Sequence, residues 1–108
     1  MRDDGNEQRG SEKPRNKYME EFRAIISGRV QMVMFRDFTC RKARKVGVTG
    51  FVRNLPDGTV EAVAQGSKEN LEKLIAYLHK GSMFSHVENV AVEWRTPQKN
   101  FDSFELVY

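Results

Sequence analysis

Cysteine is nearly absent from this chain. Cys40 is the single one among 108 residues, so no disulfide can close within it, which agrees with a reducing compartment and makes a cytoplasmic location the expectation. Histidine is almost as scarce. His79 and His86 are the only two, and neither stands in a metal-ligand motif, so no metal and no cofactor are expected. Long apolar runs are missing too: nothing approaches the ~20 residues that span a bilayer, and the charged start is unlike a basic-then-apolar signal sequence. No membrane association is expected. From Arg2 to Lys17 there is no apolar side chain of any size, only charges of both signs with glycine, asparagine, glutamine, serine and proline. Such a segment cannot bury enough surface to offset its ordering entropy. Residues 1–17 are therefore expected as a disordered tail, and 18–108 as one domain with a single modest core.

What remains is patterned. Phe22, Ala24, Ile25 and Ile26 mark a first strand of about eight residues. Phe35, Phe38, Ala43 and Val46 recur at three- and four-residue spacing, which predicts a helix from Phe35 to Val46 stopped by Gly47. Val48 to Leu55 and Thr59 to Gln65 read as strands joined by Pro56-Asp57-Gly58: proline presets the turn, aspartate bonds locally and glycine takes a positive φ. In the third strand Val60, Ala62 and Ala64 alternate with Glu61, Val63 and Gln65, with Glu61 expected to be exposed. Ser67 is placed to cap a second helix carrying Leu71, Leu74, Ile75 and Leu78, ended by Gly81. A strand beginning near Val87 and ending before Pro97, and a short last one with Phe104, Leu106 and Tyr108, complete the chain. The order predicts an α+β fold, the ferredoxin-like split βαβ sandwich (βαββαβ plus a short C-terminal strand). Each helix has one apolar stripe, so both should pack on one face of an antiparallel sheet.

Two stretches carry the chemistry. Ser27 to Arg36 passes from a strand into a helix start, where unpaired backbone N–H groups favour an anion. Arg29 and Arg36 at its ends could grip phosphate oxygens; the alternative is an ordinary connection with two solvated arginines. Basic residues concentrate in the helix that follows, where Arg36, Arg41, Lys42, Arg44 and Lys45 face a single acid, Asp37, and would raise the local anion concentration. The second stretch is the hairpin, with Asn54 near the end of its first strand, where a backbone-bonding role competes with a site role.

Taken together, Gly28-Arg29-Val30-Gln31-x-Val33-x-Phe35-Arg36, the basic helix ending in Gly47, and Gly50-Phe51-Val52-Arg53-Asn54-x-x-Asp57-Gly58-x-Val60-Glu61 resemble the acylphosphatase family. Gly66, the helix after it and the terminal Phe104-x-Leu106-x-Tyr108 extend the resemblance to roughly residues 20–108. It implies metal-independent hydrolysis of acyl phosphates to carboxylate and inorganic phosphate. The family's catalytic arginine corresponds to Arg36 and its catalytic asparagine to Asn54. The phosphoryl group would lie among Gln31, Met32, Val33, Met34, Phe35 and Arg36, held by turn amides and the arginine, while Asn54 positions the attacking water. A small-molecule acyl phosphate is the implied substrate, with phosphate or sulfate as product-like ligand.

The chain departs from that pattern at Met32, where the family usually has glycine. If the position needs a positive φ, a side chain there costs on the order of 1 kcal/mol or more and could misaim the amides. Met34 falls where the family varies and is given no significance. A non-catalytic module binding phosphate or an acidic partner is the alternative on the same fold. An RNA-binding sheet is disfavoured, since Thr59 to Gln65 offers no aromatic or arginine for stacking, and no nucleic acid is expected. No coiled-coil pattern calls for a partner, and a monomer is expected.

Overall fold

The structure, a computed structural model, describes residues 19–108; the tail expected over 1–17 lies outside the described residues. Seven elements follow in chain order: β1 (Glu20–Arg29), α1 (Phe35–Val46), β2 (Thr49–Asn54), β3 (Val60–Gly66), α2 (Lys68–Lys80), β4 (His86–Arg95) and β5 (Phe104–Val107). The strands form one sheet in the order β4-β1-β3-β2-β5. This is the expected ferredoxin-like α+β arrangement with one correction. The sheet is mixed, because β5 runs parallel to β2, from Gly50 opposite Phe104 to Arg53 opposite Val107. The first four strands pair antiparallel. No helix among the described residues is long and apolar enough to cross a membrane.

Alternation along the strands builds the core. Phe22, Ala24 and Ile26 of β1 lie opposite Ala64, Ala62 and Val60 of β3, and all six are fully buried. On the other side of β3, Ala64, Ala62 and Val60 face Gly50, Val52 and Asn54. Directly opposed residues share a face, so Asn54 stands on the same face as this apolar row, at its end. Onto that face α1 brings Phe35, Phe38, Cys40 and Ala43, and α2 brings Leu71, Leu74 and Leu78. Each buried leucine of α2 contributes about 1.5–3 kcal/mol by removal from water. Ser67 caps α2 as its type predicts, its hydroxyl accepting from the Asn70 amide at 3.2 Å.

The opposite face is less open than its residue types suggest. Glu61, expected to be exposed, is 4% exposed. Its two carboxylate oxygens each accept from a guanidinium at 2.5 Å, Arg23 of β1 and Arg53 of β2. Burial pushes the Glu61 carboxyl up, but the hydrogen bonds and charges of Arg53 and Arg23 outweigh it and hold it below its ordinary value. Toward the other end of β3, the Gln65 amide donates to Glu21 at 2.8 Å and also to the Lys99 carbonyl. Its oxygen accepts from the Phe101 amide at 3.3 Å. The crossover into β5 is thereby tied to the sheet.

β1 continues further than its apolar run indicates. Ser27, Gly28 and Arg29, read as part of a turn, pair with β4, with a register shift between Ser27 and Gly28. Gly28 has φ +121, and a Cβ there would lie 2.1 Å from the His86 carbonyl oxygen. Only glycine lets β4 approach so closely at the bulge, from which the chain leaves toward α1.

Candidate active site

Residues 30–34 connect β1 to α1 as a loop pinned, with the first residues of the helix, from several directions. Val30 and Phe35 are each 1% exposed and Val33 packs against the core. Between them Met32 and Met34 project outward, 100% and 73% exposed. Both have left-handed backbone, φ 63 at Met32 and φ 61 at Met34. The positive φ suspected at Met32 is thus present, and Met34, given no significance in the sequence, adopts it as well. Met34 is the N-cap of α1 without a side-chain cap bond. The first intrahelical bond runs from the Phe38 amide to the Met34 carbonyl at 3.0 Å. The amides of Phe35, Arg36 and Asp37 precede that bond and are the orphan donors of the helix start.

Two side chains brace this loop. The Gln31 amide nitrogen donates at 2.8 Å to both the Leu55 and Thr59 carbonyls, which frame the hairpin turn just past Asn54. The Ser82 hydroxyl donates to the Val33 carbonyl at 3.2 Å. Gln31, grouped in sequence with the residues expected to bind phosphate, thus commits its side-chain donors to the hairpin and would have only its backbone N–H to offer an anion. The hairpin is itself held locally. Asp57 accepts from the Thr59 amide at 3.0 Å and hydroxyl at 2.6 Å, and these bonds hold its carboxyl below its ordinary value.

The result is a cleft of about 320 Å³ that brings together Met32, Met34, Phe35, Arg36, Asp37 and Asn54, with Val30 and Leu106 completing its lining. Asn54 is the informative member. Its Oδ1 is buried and has no hydrogen-bond partner among the described residues, an arrangement that costs about 1–3 kcal/mol when no partner is supplied. The backbone-bonding role that competed for Asn54 therefore does not account for this oxygen. Arg36, in the first turn of α1, donates from Nη1 to the Val107 carbonyl at 3.2 Å and lies 4.9 Å from the Tyr108 ring centroid. A guanidinium carries five N–H donors, so most of its capacity is free of that bond. Asp37 is paired with Arg41 at 3.0 Å, which directs its charge along the helix.

One expected participant stands elsewhere. Arg29 ends β1 exposed and opposite His86, outside the cleft lining. Cys40 is 4% exposed, and burial, opposed by the Arg44 charge, pushes its thiol up. It is a packing residue. The contributions of Gln31 as a brace, of Ser82 and of the Val107 carbonyl went unrecognised in sequence, because each depends on a contact between distant segments.

Known proteins agree with this architecture. The acylphosphatase family model matches residues 22–106. An acylphosphatase from Thermococcus kodakarensis is 50% identical over 82 residues, which are 76% of this chain and 89% of that protein. One from Salinibacter ruber is 46% identical over 83 residues, 77% of this chain and 87% of that protein. Among solved structures, the acylphosphatase from Bacillus subtilis superposes with a TM-score of 0.80 at 35% identity, covering 82% of this chain and 99% of that one. That from Coxiella burnetii gives 0.80 at 32% identity, covering 84% and 95%.

Proposed function

The chain belongs to the acylphosphatase family, hydrolases of acid anhydrides that act on acyl phosphates, and from that premise we propose that Arg36 and Asn54 are its catalytic pair. The phosphoryl group of the substrate takes the cleft at the start of α1. Backbone amides of residues 31–36 and the donors of Arg36 surround its oxygens. Asn54 holds the attacking water. The observation that carries this reading is the buried, unpartnered Oδ1 of Asn54 in the cleft that also contains Arg36. A water placed between that oxygen and a bound phosphoryl group would satisfy it.

The reaction suits such a site. Water oxygen forms a new bond to phosphorus while the bond from phosphorus to the carboxyl oxygen breaks. The carboxylate leaves with the electron pair and the water proton passes to a phosphoryl oxygen. A carboxylate is a good leaving group, so no general acid is needed at the departing oxygen. Phosphoryl transfer then depends on positioning and on stabilising charge over the phosphoryl oxygens. Neutral asparagine has no useful basicity, but its carbonyl oxygen can orient water. No metal is assigned a part in these steps. The same reading takes phosphate or sulfate as a product-like ligand and a monomer acting in the cytoplasm, where a buried, high-pKa Cys40 stays reduced.

The test is hydrolysis of benzoyl phosphate with a chelator present, beside Arg36→Ala and Asn54→Ala. Chelator-resistant turnover is expected. Arg36→Ala should lose both phosphate binding and turnover, whereas Asn54→Ala should lose turnover and keep phosphate binding. Equal losses of phosphate binding in the two variants would contradict the assignment.

A further inference from the structure

An acyl phosphate has two halves, and the groups assigned above account for one of them. Arg36, Asn54 and the amides at the start of α1 address the phosphoryl group. The cleft also contains Met32 and Met34, apolar side chains that are 100% and 73% exposed. Neither packs on the core, so neither is explained by folding. Their backbone is left-handed at both positions, the region where glycine is at ease and a residue with a Cβ is strained. Strain of this kind is drawn to functional sites and persists where the surroundings hold it. Here it is not offset by burial of the two side chains.

Resting on the proposed phosphoryl site, we infer that Met32 and Met34 form the acyl-group subsite and direct the enzyme toward acyl phosphates with a bulky apolar acyl group. Methionine suits that task. Its unbranched, polarisable chain adapts to irregular apolar shapes and makes favourable sulfur contacts with aromatic rings. Leu106, on β5 and in the same lining, adds aliphatic surface. With the phosphoryl oxygens fixed at the helix start, an acyl group leaving the cleft meets thioether chains where a glycine loop would present backbone and solvent. A small acyl group such as acetyl gains little from them, whereas a benzoyl ring can cover them from water.

The experiment measures kcat/KM for benzoyl phosphate and for acetyl phosphate in the parent chain, in Met32→Asn, in Met34→Asn and in the double variant. Asparagine tolerates positive φ better than most residues, so it keeps the loop's backbone while removing the apolar chain. Intrinsic reactivity of the two substrates cancels when their ratio is compared between variants. The expected result is a fall of roughly tenfold in the benzoyl-to-acetyl ratio in the double variant, the scale of a lost small apolar contact, expressed mainly in KM for benzoyl phosphate. Equal factors for both substrates, leaving the ratio unmoved, would overturn the acyl subsite and leave Arg36 and Asn54 standing. A parent chain no faster than Asn54→Ala on either substrate would overturn both readings together.

Discussion

Replacing Met32 with glycine should make the protein more stable, although it deletes a large apolar side chain. The magnitude follows from two opposing terms. With φ 63, Met32 lies in the left-handed region, which costs a residue with a Cβ about 1–2 kcal/mol. Glycine escapes that cost but enlarges the unfolded ensemble by about 0.5–1 kcal/mol. Because Met32 is fully exposed, removing its side chain forfeits almost no burial. The net gain is about 0.5–1 kcal/mol, or a rise in melting temperature of roughly 2–8 °C for a domain of this size. Reversible thermal unfolding followed by circular dichroism, with urea titration beside it, would measure the gain. Met32→Ala is the necessary control, since it removes the thioether and keeps the Cβ that causes the strain. Its melting temperature should stay near the parent's. Equal shifts in the alanine and glycine variants, or a glycine variant melting at or below the parent, would refute the reasoning. Met34 has the same backbone, but it is the N-cap of α1 and two residues away, so the pair need not add.

Gln31→Ala should cost about 0.5–1.5 kcal/mol for each hydrogen bond lost, because the Leu55 and Thr59 carbonyls lose their Gln31 donor but keep the Gly58 and Leu55 amides as backbone donors. It should also slow turnover with little loss of phosphate affinity, as the link between the loop proposed to hold phosphate and the Asn54 hairpin is broken; urea midpoints and steady-state kinetics would check both. Acid titration should expose Glu61. Its carboxyl is held below its ordinary value in the folded protein, so the stability it contributes is fully present above the unfolded value near 4.5 and is lost as pH falls through the folded pKa. Urea midpoints from pH 7 to 3 should show a flatter decline below about 4.5 in Glu61→Gln than in the parent.

Local signals in the sequence located whatever depends on neighbours in the chain. The bounds of α1 follow from the spacing of Phe35, Phe38, Ala43 and Val46 together with Gly47, which takes φ 82 as the C-cap. The hairpin follows from Pro56-Asp57-Gly58. What escaped depends on partners far away. Glu61 is a charged residue on an alternating strand and reads as solvent-facing, until Arg23 and Arg53 arrive from either side. The extension of β1 through Gly28 needs β4 as template. The parallel pairing of β5 with β2 is invisible in two short apolar patterns. Met34 misled for another reason: the left-handed region is so unfavourable for a residue with a Cβ that no local rule would place it there.

The braces explain how the strained loop survives and why it matters to the reaction. For Met32 and Met34 to relax into right-handed backbone, residues 30–35 would have to follow another path. Val30 and Phe35 are buried at its ends, Val33 is packed in its middle, and Gln31 and Ser82 bind it to two other segments. Relaxation would break those bonds or expose those apolar groups, so the loop is over-determined in the sense that preserves strain. The same fixity suits the proposed catalytic roles. Arg36 and Asn54 come from separate elements, and a chemistry that relies on placing water in line with a held phosphoryl group loses rate steeply with misplacement of about 1 Å. Gln31 joins this loop directly to the turn that follows Asn54, so the contact that sustains the strain also helps fix the placement of the two residues proposed as catalytic.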